Sequence, residues 1–133
     1  MRVFLDTNVL VSAFATRGLC ADVLRSVLAE HTLVTGDVGL GELERVLRSR
    51  IKLPRTKIEQ IVVFLREHEV VPKPTAPSVV PVRDQDDRWV VASAVTAAAD
   101  VLVTGDRDLL DVAAQSPLKI VDPRGFWELA SRP

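Results

Sequence analysis

Short apolar runs alternate with longer amphipathic segments along most of the chain. The runs are rich in valine, leucine and isoleucine, which is typical of strands that are buried on both faces. They lie at residues 2–5, 32–35, 101–103 and 119–121. Strands of this kind, separated by helices, form parallel sheets that helices cover on both sides. The pattern therefore predicts an α/β fold, a three-layer sandwich with a central, mostly parallel sheet flanked by helices.

The segments between these runs repeat their apolar residues every three to four positions, as amphipathic helices do. The clearest stripe consists of Ile58, Ile61, Val62 and Leu65. Further helices are predicted at 23–28, 40–47, 88–99, 106–114 and 123–130. Four prolines between residues 69 and 82 exclude a central strand or a helix interior, so this segment is predicted to be an extended connection.

The composition is that of an ordinary globular protein. Of the 133 residues, 47% are hydrophobic and 26% are charged, which predicts one folded domain over residues 1–133. Cys20 is the only cysteine, and His31 and His68 are the only histidines, so the sequence disfavours disulfides and zinc sites. No apolar run approaches the roughly 20 residues of a membrane span. We therefore expect a cytoplasmic protein with no membrane partner.

The charge distribution bears on nucleic-acid binding. A net charge of −1 argues against general attraction to nucleic acid, which relies on many contacts between basic side chains and phosphates. Residues 45–57 nevertheless contain six basic side chains and no acidic one. The candidate substrate-binding residues are Arg45, Arg48 and Arg50, although a basic helix end is also common without any ligand. Trp89, Trp127 and Phe126 could stack on bases, but we expect them to pack against the fold.

Two of the strand-like runs lead into aspartates, one directly at Asp6 and one after Thr104 and Gly105 at Asp106. Ligands of open α/β sheets bind at the carboxyl ends of the strands, so both carboxylates are expected at the same edge. Each aspartate taken alone is also well explained as the N-cap of a helix.

Asp87 and Glu42 are two further acidic candidates. Asp87 precedes Val91 and Ala94 by four and seven residues, so it shares the inward face of its helix, whereas Asp86 points elsewhere. A carboxylate on an inward face requires pairing, capping or a cation. Glu42 lies in the first turns of its helix beside the apolar stripe, where a glutamate is often only a partner of the helix dipole.

Converging carboxylates would repel one another, raise their own pKa values and destabilise the fold. A divalent cation removes this conflict, and ligation by oxygen alone suits Mg²⁺ or Mn²⁺. Mg²⁺ usually keeps several waters and is completed by phosphate oxygens of a substrate, so the pattern indicates phosphodiester chemistry.

Four segments resemble, in their order and spacing, the PIN-domain ribonucleases, and most closely the VapC-like toxins of bacterial toxin-antitoxin pairs. They are VFLDTNVLVSA, GELERVL, DQDDRWVVASAV and ADVLVTGDRDLL. By this resemblance four acids are catalytic and hold the metal, two polar residues support them, and one aspartate is a further candidate ligand. The acids are Asp6, Glu42, Asp87 and Asp106, the supports Asn8 and Thr104, and the further ligand Asp108.

The resemblance also implies a reaction and partners. Such proteins cleave RNA by attack of metal-activated water on phosphorus, which leaves 5′-phosphate and 3′-hydroxyl ends. A small antitoxin protein and a second copy of the chain are the implied protein partners. Two alternatives stay open: a PIN nuclease of RNA processing without an antitoxin, and an inert PIN-like scaffold that binds RNA or protein.

The pentapeptide LVTGD occurs twice, at residues 33–37 and 102–106. The second copy ends in Asp106, the fourth acid of the quartet. The first copy ends in Asp37, which is expected at a helix start. We therefore predict a metal-binding role for Asp106 and only a local structural role for Asp37.

Overall fold

The computed structural model describes residues 1–132, and a five-stranded sheet forms their centre. The strands are β1 (Arg2–Leu5), β2 (Thr32–Gly36), β3 (Glu69–Val71), β4 (Val101–Val103) and β5 (Lys119–Val121). Their order across the sheet is β3-β2-β1-β4-β5, and all neighbouring pairs are parallel. The prediction of an α/β fold with a central parallel sheet is confirmed.

Helices connect the strands and cover the sheet. They are α1 (Thr7–Ala15), α2 (Leu19–Glu30), α3 (Asp37–Val46), α4 (Arg55–Arg66), α5 (Gln85–Thr96), α6 (Arg107–Asp111) and α7 (Pro123–Ala130). A π-helical turn (Leu47–Ile51) extends α3, and a 3₁₀ turn (Ala113–Gln115) follows α6. Within residues 1–132, no helix has the length and apolar character needed to cross a membrane.

Two elements were not predicted from the sequence. Helix α1 begins immediately after β1, where the sequence indicated only a turn or a helix cap. Its apolar residues occur on several sides, so the helical period is weak, and the Asp6 cap starts the helix. Strand β3 forms in the proline-rich segment at the edge of the sheet, where the prolines that follow it interrupt no inner strand.

The bounds of several helices also differ from the prediction, and α2 and α3 begin earlier than the predicted residues 23 and 40. Helix α5 begins at Gln85 rather than at residue 88, because Asp84 caps it by accepting a 2.9 Å hydrogen bond from the Asp86 amide. Helix α6 ends at Asp111 rather than at residue 114, because the backbone tightens there into the 3₁₀ turn.

Alternate residues of the strands face two separate apolar layers. On β1, Val3 and Leu5 pack in the layer that contains α1 to α4 and α7, whereas Phe4 packs in the layer of α5 and α6. Helices therefore cover both faces of the sheet, as the continuous apolar strands predicted.

The strand order brings distant parts of the chain together at the carboxyl edge of the sheet. Leu5 of β1 lies in register with Val103 of β4, and the Asp6 amide donates a 2.9 Å hydrogen bond to the Val103 carbonyl. The residues that follow these strands, Asp6 and Thr104, are consequently neighbours.

Candidate metal centre

Asp6 is a buried carboxylate whose two oxygens are both hydrogen-bonded. Oδ1 accepts a 2.7 Å bond from the Thr7 amide, which makes Asp6 the N-cap of α1. Oδ2 accepts a 2.8 Å bond from the Thr104 hydroxyl and a 3.2 Å bond from the Asn8 side-chain amide. Asp6 is only 6% exposed, and these hydrogen bonds hold its side chain in one orientation.

Asn8 and Thr104, the predicted supports, also connect the loop after β4 to the start of α1. The Thr104 hydroxyl accepts a 3.0 Å bond from the Asp106 amide. Asn8 Oδ1 accepts a 2.9 Å bond from the Gly105 amide. Both residues contact Asp6 directly, so together they orient Asp6 and the backbone of Asp106 towards the same region.

A second acidic group lies beside this network. Asp87, Asp106 and Asp108 each offer a carboxylate oxygen, and these oxygens lie within 4.8 Å of one another. Asp106 caps α6 by accepting a 2.9 Å bond from the Asp108 amide. Asp87 is 7% exposed, and its buried Oδ2 has no hydrogen-bond partner within residues 1–132.

Burial and like charges raise the pKa values of the two buried aspartates. Burial raises the pKa of Asp87 to about 7, with further contributions from Asp106, Asp84 and Asp6. Burial raises the pKa of Asp6 to about 6, against hydrogen bonds from Thr104 and Thr7 that lower it. The charges of Glu42 and Asp106 raise the pKa of Asp6 further. The group therefore carries the electrostatic conflict that the sequence predicted.

Glu42 stands apart from the three clustered aspartates. It is exposed on α3 and lines the same cleft as Asp6, Asp87 and Asp106. Glu44, two residues further along α3, does not line this cleft. The predicted quartet thus shares one cleft, with Glu42 on the α3 wall.

The residues present fit a hard divalent cation. The clustered donors are carboxylate oxygens, one of them buried without a partner, and no histidine or cysteine lines the cleft. Oxygen donors of this kind suit Mg²⁺ or Mn²⁺ rather than zinc. Asp87, Asp106 and Asp108 would hold such an ion, with Asp6 and Glu42 on the adjoining surface of the cleft.

The cleft has a volume of about 750 Å³ and extends well beyond the acids. Arg45 and Arg50 line it, but Arg48 does not, so only two of the three candidate arginines face the site. Lys73 and Trp89 also line it and were not predicted as site residues. Lys73 lies in the proline-rich connection, where no helical or strand period predicts which way a side chain points. Trp89 was expected to pack against the fold, so its position in the cleft was not predicted.

The two LVTGD copies occupy different environments. Asp106 lines the cleft, whereas the exposed Asp37 begins α3 and its Oδ1 accepts a 2.8 Å hydrogen bond from Arg66. The corresponding threonines differ as well. Thr104 donates to Asp6, but the buried Thr35 hydroxyl has no partner within the described residues.

This protein belongs to the class of α/β sandwich proteins that gather carboxylates at the carboxyl edge of a parallel sheet. Within that class, the chain is a member of the PIN-domain family, whose profile matches residues 2–108. PIN domains are generally metal-dependent nucleases, and the acidic group fits that chemistry.

Solved structures of several other proteins have a similar fold. VapBC2 from Rickettsia felis, bound to a DNA fragment from their promoter, matches at 18% identity with a TM-score of 0.67 over 92% of this chain and 98% of the other. FitAcB from Neisseria gonorrhoeae matches at 15% identity with a TM-score of 0.63, over 92% of this chain and 98% of the other. VapBC-1 from nontypeable Haemophilus influenzae matches at 19% identity with a TM-score of 0.61, over 93% of this chain and 99% of the other. No curated protein matches the chain in sequence.

Proposed function

We propose that this protein is a single-domain endoribonuclease that depends on Mg²⁺ or Mn²⁺ and is the toxin of a toxin-antitoxin pair. The observation that carries the proposal is the unpartnered, buried Oδ2 of Asp87 beside the carboxylates of Asp106 and Asp108. A buried carboxylate oxygen without a partner is costly, which favours a cation ligand over a purely structural role. Asp6, Glu42, Asp87 and Asp106 are the proposed catalytic acids, with Asp108 as a further ligand.

The protein's own residues hold and orient the reacting groups. Thr104 and Asn8 fix the Asp6 carboxylate by hydrogen bonds of 2.8 and 3.2 Å. Arg45 and Arg50 offer positive charge to the phosphates of a substrate in the cleft. The chemistry that a bound divalent cation supplies is a lower pKa for the attacking water and compensation of charge on the phosphate.

Hydrolysis adds one water across the P–O3′ bond. The water oxygen joins phosphorus, which becomes a 5′-phosphate, and the 3′ oxygen leaves and takes a proton to become a hydroxyl. No covalent intermediate with the protein is required.

The test is cleavage of an end-labelled RNA pool by the purified protein with Mg²⁺ or Mn²⁺, and with EDTA as the metal-free comparison. The inactive variant is Asp6→Asn with Asp106→Asn, which keeps both N-caps because asparagine caps as well as aspartate. The matched control is Asp37→Asn, which changes the same residue type outside the cleft. We expect metal-dependent cutting by wild type and control only; a folded double variant that cuts like wild type would refute the proposal.

The toxin assignment extends this activity to a biological role. Its support is the resemblance to VapC-like toxins and the likeness in fold to the VapBC and FitAcB proteins. We further propose a small antitoxin partner, a homodimer and a cytoplasmic location. Expression should arrest growth, the double variant should not, and co-expression of the adjacent small open reading frame should restore growth. Cleavage without growth arrest would favour RNA processing instead, and RNA binding without cleavage an inert scaffold.

A further inference from the structure

One wall of the cleft presents an aromatic ring rather than acids. Trp89 follows Asp86 by three residues and precedes Ser93 by four, so the three lie on one face of α5, and all three line the cleft. The Trp89 side chain is half-buried. Its ring is covered by the ammonium of Lys73, whose Nζ lies 4.6 Å from the ring centroid.

The connection that carries Lys73 is attached to the fold. Val80 and Val82 of this connection are buried in the layer of α5 and α6. The Ser78 amide donates a 3.0 Å hydrogen bond to the Arg88 carbonyl. The connection is therefore anchored to α5 by its later residues, whereas Lys73 is exposed near its start.

Another wall of the cleft carries two guanidinium groups, from the end of α3 and from the π turn that extends it. The Leu47 carbonyl accepts the Lys52 amide, an i→i+5 bond in place of the i→i+4 bond of an α-helix. Arg45 lies in the last turn of α3, and Arg50 lies in the π turn. Both line the cleft, whereas Arg48 points away from it.

These walls offer the two kinds of group that a single nucleic-acid strand requires. The arginines suit phosphates, and Trp89 offers a face on which an unstacked base can lie. In a duplex the bases already stack on one another and cannot reach such a ring without unpairing. The acids at the floor repel phosphates, so the attraction comes from the walls and from the cation of the proposed function.

We propose that Trp89 is the base-stacking residue of this cleft, with the phosphates next to the stacked base on Arg45 and Arg50; the proposal rests on the endoribonuclease function above. Lys73 occupies the ring face in the free protein. Its flexible stem lets the ammonium move from the ring to a phosphate when a base takes its place. Trp89 thereby selects unpaired nucleotides next to the cleaved bond.

Binding is measured by fluorescence anisotropy of a labelled single-stranded RNA pool with Mg²⁺, in an Asp106→Asn background so that the RNA stays intact. Trp89→Ala should raise the Kd by about 5- to 150-fold, which corresponds to a stacking contribution of about 1–3 kcal/mol per base. Trp89→Phe, which keeps an aromatic face, should restore most of the affinity. Trp127→Ala, an exposed tryptophan on α7 outside the cleft, is the matched control and should bind like its parent.

A second measurement leaves Trp89 in place. The sequence has two tryptophans, so in a Trp127→Phe protein the fluorescence belongs to Trp89 alone. Single-stranded RNA should quench it, and the same RNA annealed into a duplex should not. Loss of both arginines, Arg45→Ala with Arg50→Ala, should reduce the slope of log Kobs against log salt by roughly 0.7 per lost phosphate contact, and Arg48→Ala should not.

The outcomes separate this inference from the proposed nuclease. If wild type cleaves RNA but Trp89→Ala binds and cleaves with unchanged KM, the stacking role is wrong and the nuclease stands. If wild type cleaves nothing while the quench and the Trp89 effect appear, the cleft is an RNA site without the nuclease. Equal affinity for duplex, or no quench, overturns the inference.

Discussion

The Thr104 hydroxyl donates a 2.8 Å hydrogen bond to Asp6 Oδ2, although the two residues lie 98 positions apart in the chain. The Thr104 hydroxyl oxygen in turn accepts a 3.0 Å hydrogen bond from the Asp106 amide. One hydroxyl thus joins the acid after β1 to the acid after β4. Because the bond lowers the pKa of Asp6 against the effect of burial, it helps to keep this buried carboxylate ionised.

Removing the Thr104 hydroxyl should therefore weaken both the fold and the metal site. Thr104→Val keeps the shape but leaves Asp6 Oδ2 and the Asp106 amide short of a partner, at a cost of about 1–3 kcal/mol in the free energy of unfolding. Thr104→Ser keeps the hydroxyl and is the matched control. Denaturant unfolding and Mn²⁺ titration measure the two effects. Equal Mn²⁺ affinity in both variants would argue against a positioning role.

Stability of the metal-free protein should fall as the pH rises. The pKa values of Asp6 and Asp87 in the folded state, about 6 and about 7, lie above the ordinary value, so the folded state binds more protons than the unfolded one. The free energy of unfolding must then decrease between about pH 5 and pH 7. Calorimetry in EDTA should give a Tm that declines over this window, and Mg²⁺ should raise the Tm most at the upper end. A metal-free Tm that increases with pH would contradict this assignment.

Asp87→Asn should stabilise the metal-free protein above neutral pH and impair metal binding. The amide removes the like-charge contact with Asp106, and we expect a gain on the order of 1–2 kcal/mol in the free energy of unfolding. Mg²⁺ should then give little further stabilisation. Asp86 was predicted to point elsewhere but also lines the cleft, because the helix start faces it. Asp86→Asn is the control, because Asp86 is exposed and lies outside the group formed by Asp87, Asp106 and Asp108. If Asp86→Asn alone abolished the Mg²⁺ response, the neighbouring aspartate would be the ligand.

Substitution of the aspartate should affect activity in the second LVTGD copy but not in the first. Asp37→Asn loses only an exposed ion pair with Arg66, which is worth at most about 1 kcal/mol, and its cleavage rate should match wild type. Asp106→Asn keeps its N-cap, so a structural role alone predicts normal activity. We instead expect kcat/KM to fall by roughly 10²-fold or more for the loss of a charged group that stabilises the transition state. Comparable activity of the two variants would mean that Asp106 is only a cap.

Gly41 offers a way to close the cleft without disturbing the fold. It lies in α3 on the cleft wall, and a Cβ atom there would meet nothing within 4 Å. Gly41→Ala should stabilise the protein by roughly 0.5–1 kcal/mol, since glycine is unfavourable within a helix. Gly41→Met should keep the Tm but weaken RNA binding, because its side chain extends into the cleft. A Gly41→Met protein that binds RNA like wild type would show that substrate avoids this wall.

Much of the architecture follows from local pattern. The apolar runs at β1, β2, β4 and β5 were read correctly because a strand buried on both faces has an unmistakable composition. The inward direction of Asp87 also followed from its spacing to Val91 and Ala94. Helix α1 and strand β3 were not predicted, because α1 is apolar on several sides and β3 is short and followed by prolines.

The sequence by itself determined which side chains end strands, cap helices or face the core, since these properties depend on periodicities of a few residues. It therefore identified the acids as candidates. Only the tertiary structure decided which residues lie next to these acids. The order β2-β1-β4 brings Asp6 next to Thr104, the cleft includes Arg45 and Arg50 but not Arg48, and Lys73 lies over the ring of Trp89. Such distances depend on how separate elements pack, and no local period encodes them.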